Sequence, residues 1–126
     1  MLEKNLHSSV CKWLKLQYPG ILFRTDYAAG MRLSIGMAMR QKVLQSHKGY
    51  PDLFIIEPRG SYAGLFIELK TETTKIFKKN GELISNPHIE EQHKMLEMLK
   101  DRGFVAEFGI GFDDIIAKIT RYLETH

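Results

Sequence analysis

Cys11 is the sole cysteine of the 126 residues, so no disulfide can close within the chain and a thiolate zinc centre has no second sulfur. Such usage fits a reducing compartment. Nowhere do 18 apolar residues run together, and the opening MLEKNLHSSV lacks the apolar core of a secretion signal. The expected setting is therefore the cytoplasm, with no membrane partner. Neither sign of charge dominates: 18 Lys and Arg face 15 Asp and Glu, a formal charge of +3 with a pI near 9.0. This excess excludes little alone, but acids gathered at one site would leave the remaining surface basic enough for a polyanion. No linker or repeat interrupts the chain, and its length suits one domain with one sizeable core, spanning residues 1–126.

Residues 49–70, GYPDLFIIEPRGSYAGLFIELK, read as two apolar strands over 53–56 and 65–69, joined through Pro58, Gly60, Ser61 and Gly64. Side chains alternate along a strand, so Glu68 and Lys70 project from one face while Ile67 and Leu69 project from the other. Asp52 precedes Glu68 by 16 positions, and antiparallel pairing would bring the start of the first strand to the end of the second. One Asp, one Glu and one Lys then converge. Paired carboxylates repel unless a cation lies between them or one takes a proton. Hard oxygen ligands of this kind suit Mg2+ or Mn2+, and such an ion stabilises the charge of a phosphoryl transition state. Lys70 is placed to orient an attacking water or to neutralise a phosphate. The ordinary alternative is a pair of solvated charges on a strand face and a turn aspartate after Pro51. Against it stands the cost of charge at the ends of strongly apolar strands.

Pro51-Asp52 followed by Glu68-Leu69-Lys70 resembles the signature of the PD-(D/E)xK nuclease superfamily. More narrowly, GYPDLFII, GLFIELK and the later Gln92 are similar to the VRR-NUC family, including its small stand-alone members from bacteria and phages, over residues 3–123. The resemblance implies a restriction-endonuclease-like α/β core, a mixed sheet flanked by helices. It implies a metal-dependent DNA endonuclease in a bacterial or phage-infected cell, with branched DNA (four-way junctions or flaps) as substrate and a homodimer as the working form. On this reading Asp52, Glu68 and the backbone carbonyl of Leu69 hold Mg2+ or Mn2+. Lys70 positions the water, and Gln92 supports the water, a ligand or the scissile phosphate.

The remaining chain supplies the other elements. Leu2, Leu6, Val10, Trp13, Leu14 and Tyr18 describe an amphipathic helix closed by Pro19-Gly20. Glu3 in its first turn either serves the helix N-terminus electrostatically or, by the resemblance, joins the metal site. His7 and Cys11 share a flank of this helix with no further soft ligand in view, and they read as packing residues. A strand over 21–25 leads through Asp26 to Ala28-Ala29-Gly30, and residues 31–47 have helical character with Ile35, Met39, Val43 and Leu44 as the apolar stripe. Arg32, matched by a Gly-x-Arg element in the resemblance, and Lys48 are candidate phosphate contacts; the bland reading is a solvated basic face.

Residues 71–86 are polar and aperiodic, either a flap over a substrate groove or, the favoured reading, a mobile surface excursion. Asn86-Pro87 is a helix start, and Ile89, Met95, Leu96 and Leu99 give a buried stripe that places Gln92 on or beside it. His88 and His93 are five apart, off the i, i+4 spacing of a helical zinc site, and either is a secondary candidate for a proton donor. A strand over 104–108 and a helix carrying Ile115, Ile116, Ile119, Tyr122 and Leu123 complete the order αβαββαβα. Two other readings compete with the structure-selective endonuclease: a catalytically silent DNA-binding module of the same fold, and a nuclease of linear or single-stranded DNA.

Overall fold

A computed structural model describes residues 1–26 and 33–126. The elements follow as α1 (Glu3–Gln17), β1 (Phe23–Thr25), α2 (Ile35–Leu44), β2 (Leu53–Ile55), β3 (Leu65–Lys70), α3 (Pro87–Lys100), β4 (Val105–Ile110) and α4 (Phe112–Leu123). This is the expected order. The strands form one mixed sheet in the sequence β1-β2-β3-β4, antiparallel except for the parallel pair β3/β4. A parallel pair needs a crossover, and α3 lies in it.

Alternation along β3 decides the layers. Leu65, Ile67 and Leu69 point with Leu53 and Ile55 into a core closed by Leu6, Val10 and Leu14 of α1 and by Ile115, Ile119, Tyr122 and Leu123 of α4. Each such side chain taken fully from water stabilises the fold by about 1.5–3 kcal/mol. At Gly109 a Cβ would stand 2.6 Å from Ile115 and 2.9 Å from Ile67, so the missing side chain lets α4 seat closely on the sheet. On the opposite face α3 sets Ile89, Met95, Leu96 and Leu99 against Ala106, Phe108 and Ile76, with Phe66 and Phe104 at the margin. The start of α3 is fixed as expected: Asn86 Oδ1 accepts from the backbone N–H of His88 at 3.0 Å and of Ile89 at 3.2 Å, and Pro87 takes the first helical position.

Three expectations need correction. The apolar stripe of α2 is not buried: Ile35 is 82% and Val43 83% exposed, and Met39 and Leu44 also lie largely in solvent. An apolar period marks the face that would be buried but not whether the chain brings anything against it. Residues 71–86 are not a free excursion. A hairpin closes through the Phe77/Leu83 bridge and the hydrogen bond from Ile84 N to Ile76 O (2.9 Å), and Ile76 anchors it in the α3 core. The last strand runs on through Gly109 to Ile110, two residues beyond its expected end. Among the described residues no helix is long and apolar enough to cross a membrane.

Candidate active site

The start of β2 and the end of β3 meet because the two strands run antiparallel with Leu53 opposite Ile67. One position further, Asp52 comes level with Glu68. Gly49, at φ +82° and packed on the Glu91 backbone of α3, turns the chain into this position; a Cβ there would lie 3.1 Å from Glu91 O. One more residue of register sets Pro51 opposite Leu69. The carbonyls of Gly64 and Lys70 bond toward β4, so the polar groups of Leu69 face β2. Pro51 has no N–H to give the Leu69 carbonyl, and the Leu69 N–H instead donates to Asp52 Oδ2 at 3.0 Å. The Pro-Asp pair thus takes up one backbone group of Leu69 and offers no ladder donor to the other.

Glu68 is 3% exposed, Gln92 6% and Asp52 9%. Gln92 Nε2 donates to Glu68 Oε1 at 2.9 Å and lies 3.2 Å from His88 Nε2. Lys70 Nζ stands 3.7 Å from the same Glu68 oxygen. Glu68 Oε2 and Gln92 Oε1 are buried with no hydrogen-bond partner. Burial pushes the Glu68 carboxyl up to about 10, the Asp52 carboxyl beside it reinforces the rise, and Lys70 opposes it. Burial raises Asp52 as well, against the opposing influences of Glu68 and His7. Without a cation the pair therefore retains a proton at neutral pH. These groups open on a cleft of about 960 Å3 that Lys48, His47 and Lys42 also line.

The arrangement, two buried carboxyls, a lysine and a supporting amide, is matched by sequence kinship. The VRR-NUC domain model matches residues 5–109. The chain belongs to the VRR-NUC family. A solved structure described as "VRR_NUC domain protein" is similar at 26% identity with a TM-score of 0.71, covering 98% of this chain and 89% of that one. No curated protein matches the chain. VRR-NUC domains belong to the PD-(D/E)xK-like nucleases, and the mixed four-stranded sheet with flanking helices agrees with that fold. A nuclease-type role in DNA processing follows for this VRR-NUC chain, with DNA as partner.

Of the expected site residues, Asp52, Glu68, Lys70 and Gln92 come together, and Lys48 lines the cleft from an exposed position. Glu3 also lines it, with Oε1 3.9 Å from His7 Nε2. Arg32 lies outside the described residues. His88 borders the cleft, whereas His93 pairs with Glu97 at 3.9 Å. His7 is the residue that the sequence reading set aside. It is buried beside Asp52, its Nε2 3.8 Å from Asp52 Oδ2, and its helical neighbour in this site is Glu3, four residues earlier, rather than Cys11. The i, i+4 spacing of Glu3 and His7 was the available signal. Cys11 turns instead toward Thr25, and burial raises its thiol.

Proposed function

We propose that the chain is a divalent-metal-dependent endonuclease that hydrolyses phosphodiester bonds in DNA, prefers four-way junctions or flaps, and acts as a homodimer. The observation that carries the chemistry is the buried pair Asp52 and Glu68 with Lys70 3.7 Å from Glu68. The donor set fits a hard cation: two carboxylates, the Leu69 carbonyl facing β2 past Pro51, and Glu68 Oε2 buried without a partner. Asp52, Glu68 and the Leu69 carbonyl would hold Mg2+ or Mn2+, and Glu3 would extend the set. When bound, such an ion supplies charge stabilisation for the phosphoryl group and lowers the pKa of water.

The chain's own residues do the rest. Gln92 holds Glu68 in orientation through one carboxylate oxygen, leaving the other free. Lys70, mostly buried, directs its ammonium toward the cleft, where it can orient water or counter phosphate charge. Lys48, Lys42 and His47 line the approach to the carboxyls, as a phosphodiester backbone requires; Arg32, from the same basic segment, is a further candidate contact. For the homodimer, the support is the uncovered stripe of α2, whose Ile35, Met39, Val43 and Leu44 stand in solvent within ten residues of one another. This helix leads into Lys48 and Gly49, so a dimer seated on it would join the two sites through one short segment.

The test is a nicking assay on labelled four-way junction, flap, linear duplex and single-stranded DNA with Mg2+, with Mn2+ and with EDTA, beside Glu68→Ala. Cleavage that needs both metal and Glu68, ranked toward junctions or flaps, is expected. Equal cleavage of linear or single-stranded DNA would replace the structure-selective reading. Binding without cleavage under either metal would make the chain a silent DNA-binding module. Mass in solution near micromolar concentration, compared with Val43→Asp, reads the dimer: the variant is expected to be a monomer.

A further inference from the structure

We propose that His7 gives its Nε2 nitrogen to a second cation position, shared with the carboxylates of Glu3 and Asp52, which takes Mn2+ or a similar transition ion in preference to Mg2+. This rests on the metal-dependent reading of the adjoining site.

Helix α1 buries Leu6, Val10 and Leu14 in the core and carries His7 beside them at the end of the sheet. His7 is 9% exposed, and its Nε2 has no hydrogen-bond partner. Leaving a buried polar atom unpaired costs about 1–3 kcal/mol, so an aliphatic or smaller side chain would serve packing better. The nitrogen faces Asp52 Oδ2 at 3.8 Å and Glu3 Oε1 at 3.9 Å. Both separations exceed a hydrogen bond. They suit donors that share an ion instead: with bonds of about 2.0–2.2 Å, two ligands of one ion stand about 3–4.4 Å apart. The three donor atoms all lie within 4.8 Å of one another, and Glu3, with its side chain half in solvent, has the freedom to close the remaining gap.

The donor chemistry separates this position from its neighbour. Asp52, Glu68 and the Leu69 carbonyl offer oxygen alone, which Mg2+ accepts. An imidazole nitrogen adds little for Mg2+ and more for Mn2+, Co2+ or Zn2+. Asp52, with two carboxylate oxygens, would serve both sets, Oδ2 being the one that faces His7. His7 would therefore set which ion fills the second position, with no part in the reaction itself.

The experiment is Mn2+ titration of the full chain without DNA, read as free Mn2+ by electron paramagnetic resonance, with Mg2+ as competitor and pulsed measurements for nitrogen coupling to bound Mn2+. The variants are His7→Gln, Glu3→Gln and Glu68→Ala, each checked for folding by circular dichroism. The wild type is expected to bind a second Mn2+ with a nitrogen signal. His7→Gln should abolish that signal and lower the preference for Mn2+ over Mg2+ by about 10-fold or more, and Glu3→Gln should weaken the same ion while its nitrogen coupling persists. Should His7→Gln fail to fold, the wild-type nitrogen signal and the solvent-accessible Glu3→Gln variant still decide. A wild type that binds Mn2+ through oxygen alone, or a nitrogen signal that survives His7→Gln, overturns the role of His7 while leaving the metal-dependent nuclease standing. Absence of any Mn2+ or Mg2+ binding, together with cleavage in EDTA, overturns both.

Discussion

The two faces of β3 do opposite work: Leu65, Ile67 and Leu69 are fully buried on one, and on the other Glu68 is buried between the partly exposed Phe66 and Lys70. Ile67 and Leu69 are fully buried in an apolar cluster with side chains of α1 and α4. Glu68, between them in sequence and 3% exposed, is buried under α3 with a carboxyl, an ammonium and an amide for company. The first face returns its burial as stability. The second holds unpaired polar atoms at Glu68 and Gln92 and a carboxyl pair that must share a proton, all of which cost stability in the metal-free protein. A fold retains such a face when the groups are used, and the cost shows where selection has acted on chemistry at the expense of packing.

That contrast can be broken by substitution. The largest effect is expected at Glu68→Ala and Lys70→Ala: DNA cleavage should fall by about 1,000-fold or more, with melting temperature little changed, as single-turnover nicking and thermal unfolding would read. Retained cleavage in either variant removes the site assignment. Next comes Ile67→Ala on the opposite face, expected to cost about 2–5 kcal/mol of stability by urea unfolding; where the protein stays folded, cleavage at low temperature should persist.

Glu68→Gln sharpens the comparison through pH. The folded carboxyl is raised above its unfolded value, so its contribution to stability is full below the unfolded pKa of about 4.5 and is lost as pH rises toward the folded pKa. In EDTA, the variant should therefore melt higher than wild type at pH 8, and the difference should shrink toward pH 5. Mg2+ should narrow the gap at pH 8 by stabilising the wild type selectively. A gap independent of pH would mean that the carboxyl is ionised in the fold. The smallest effect is expected at Asn86→Ala, which removes the cap of the helix carrying Gln92: about 1 kcal/mol by urea unfolding, with a modest loss of cleavage.

Much of this was legible in the chain. Strand alternation placed Glu68 and Lys70 on one face, the antiparallel turn brought Asp52 to them, and the period of α3 set Gln92 at the buried side. All of these are local rules acting over short stretches, which is why they were readable. The stripe of α2 obeyed the same periodicity and yet lies uncovered, because a period reports the shape of one helix and carries no information about what is brought to it. His7 shows the converse. Its neighbours Leu6 and Val10 marked the helix as a packing element, and its partner in the site, Asp52, comes 45 residues later in the chain.

The sequence by itself determined the element order, the cap at Asn86, the alternation of β3 and the motif that ties the chain to its family, since each depends on residues close in the chain. The tertiary structure alone decided that His7 meets Asp52, that Pro51 stands opposite the Leu69 carbonyl and that α2 remains uncovered. Those are distances between segments, fixed by how the sheet and the helices stack and by no single segment's preference.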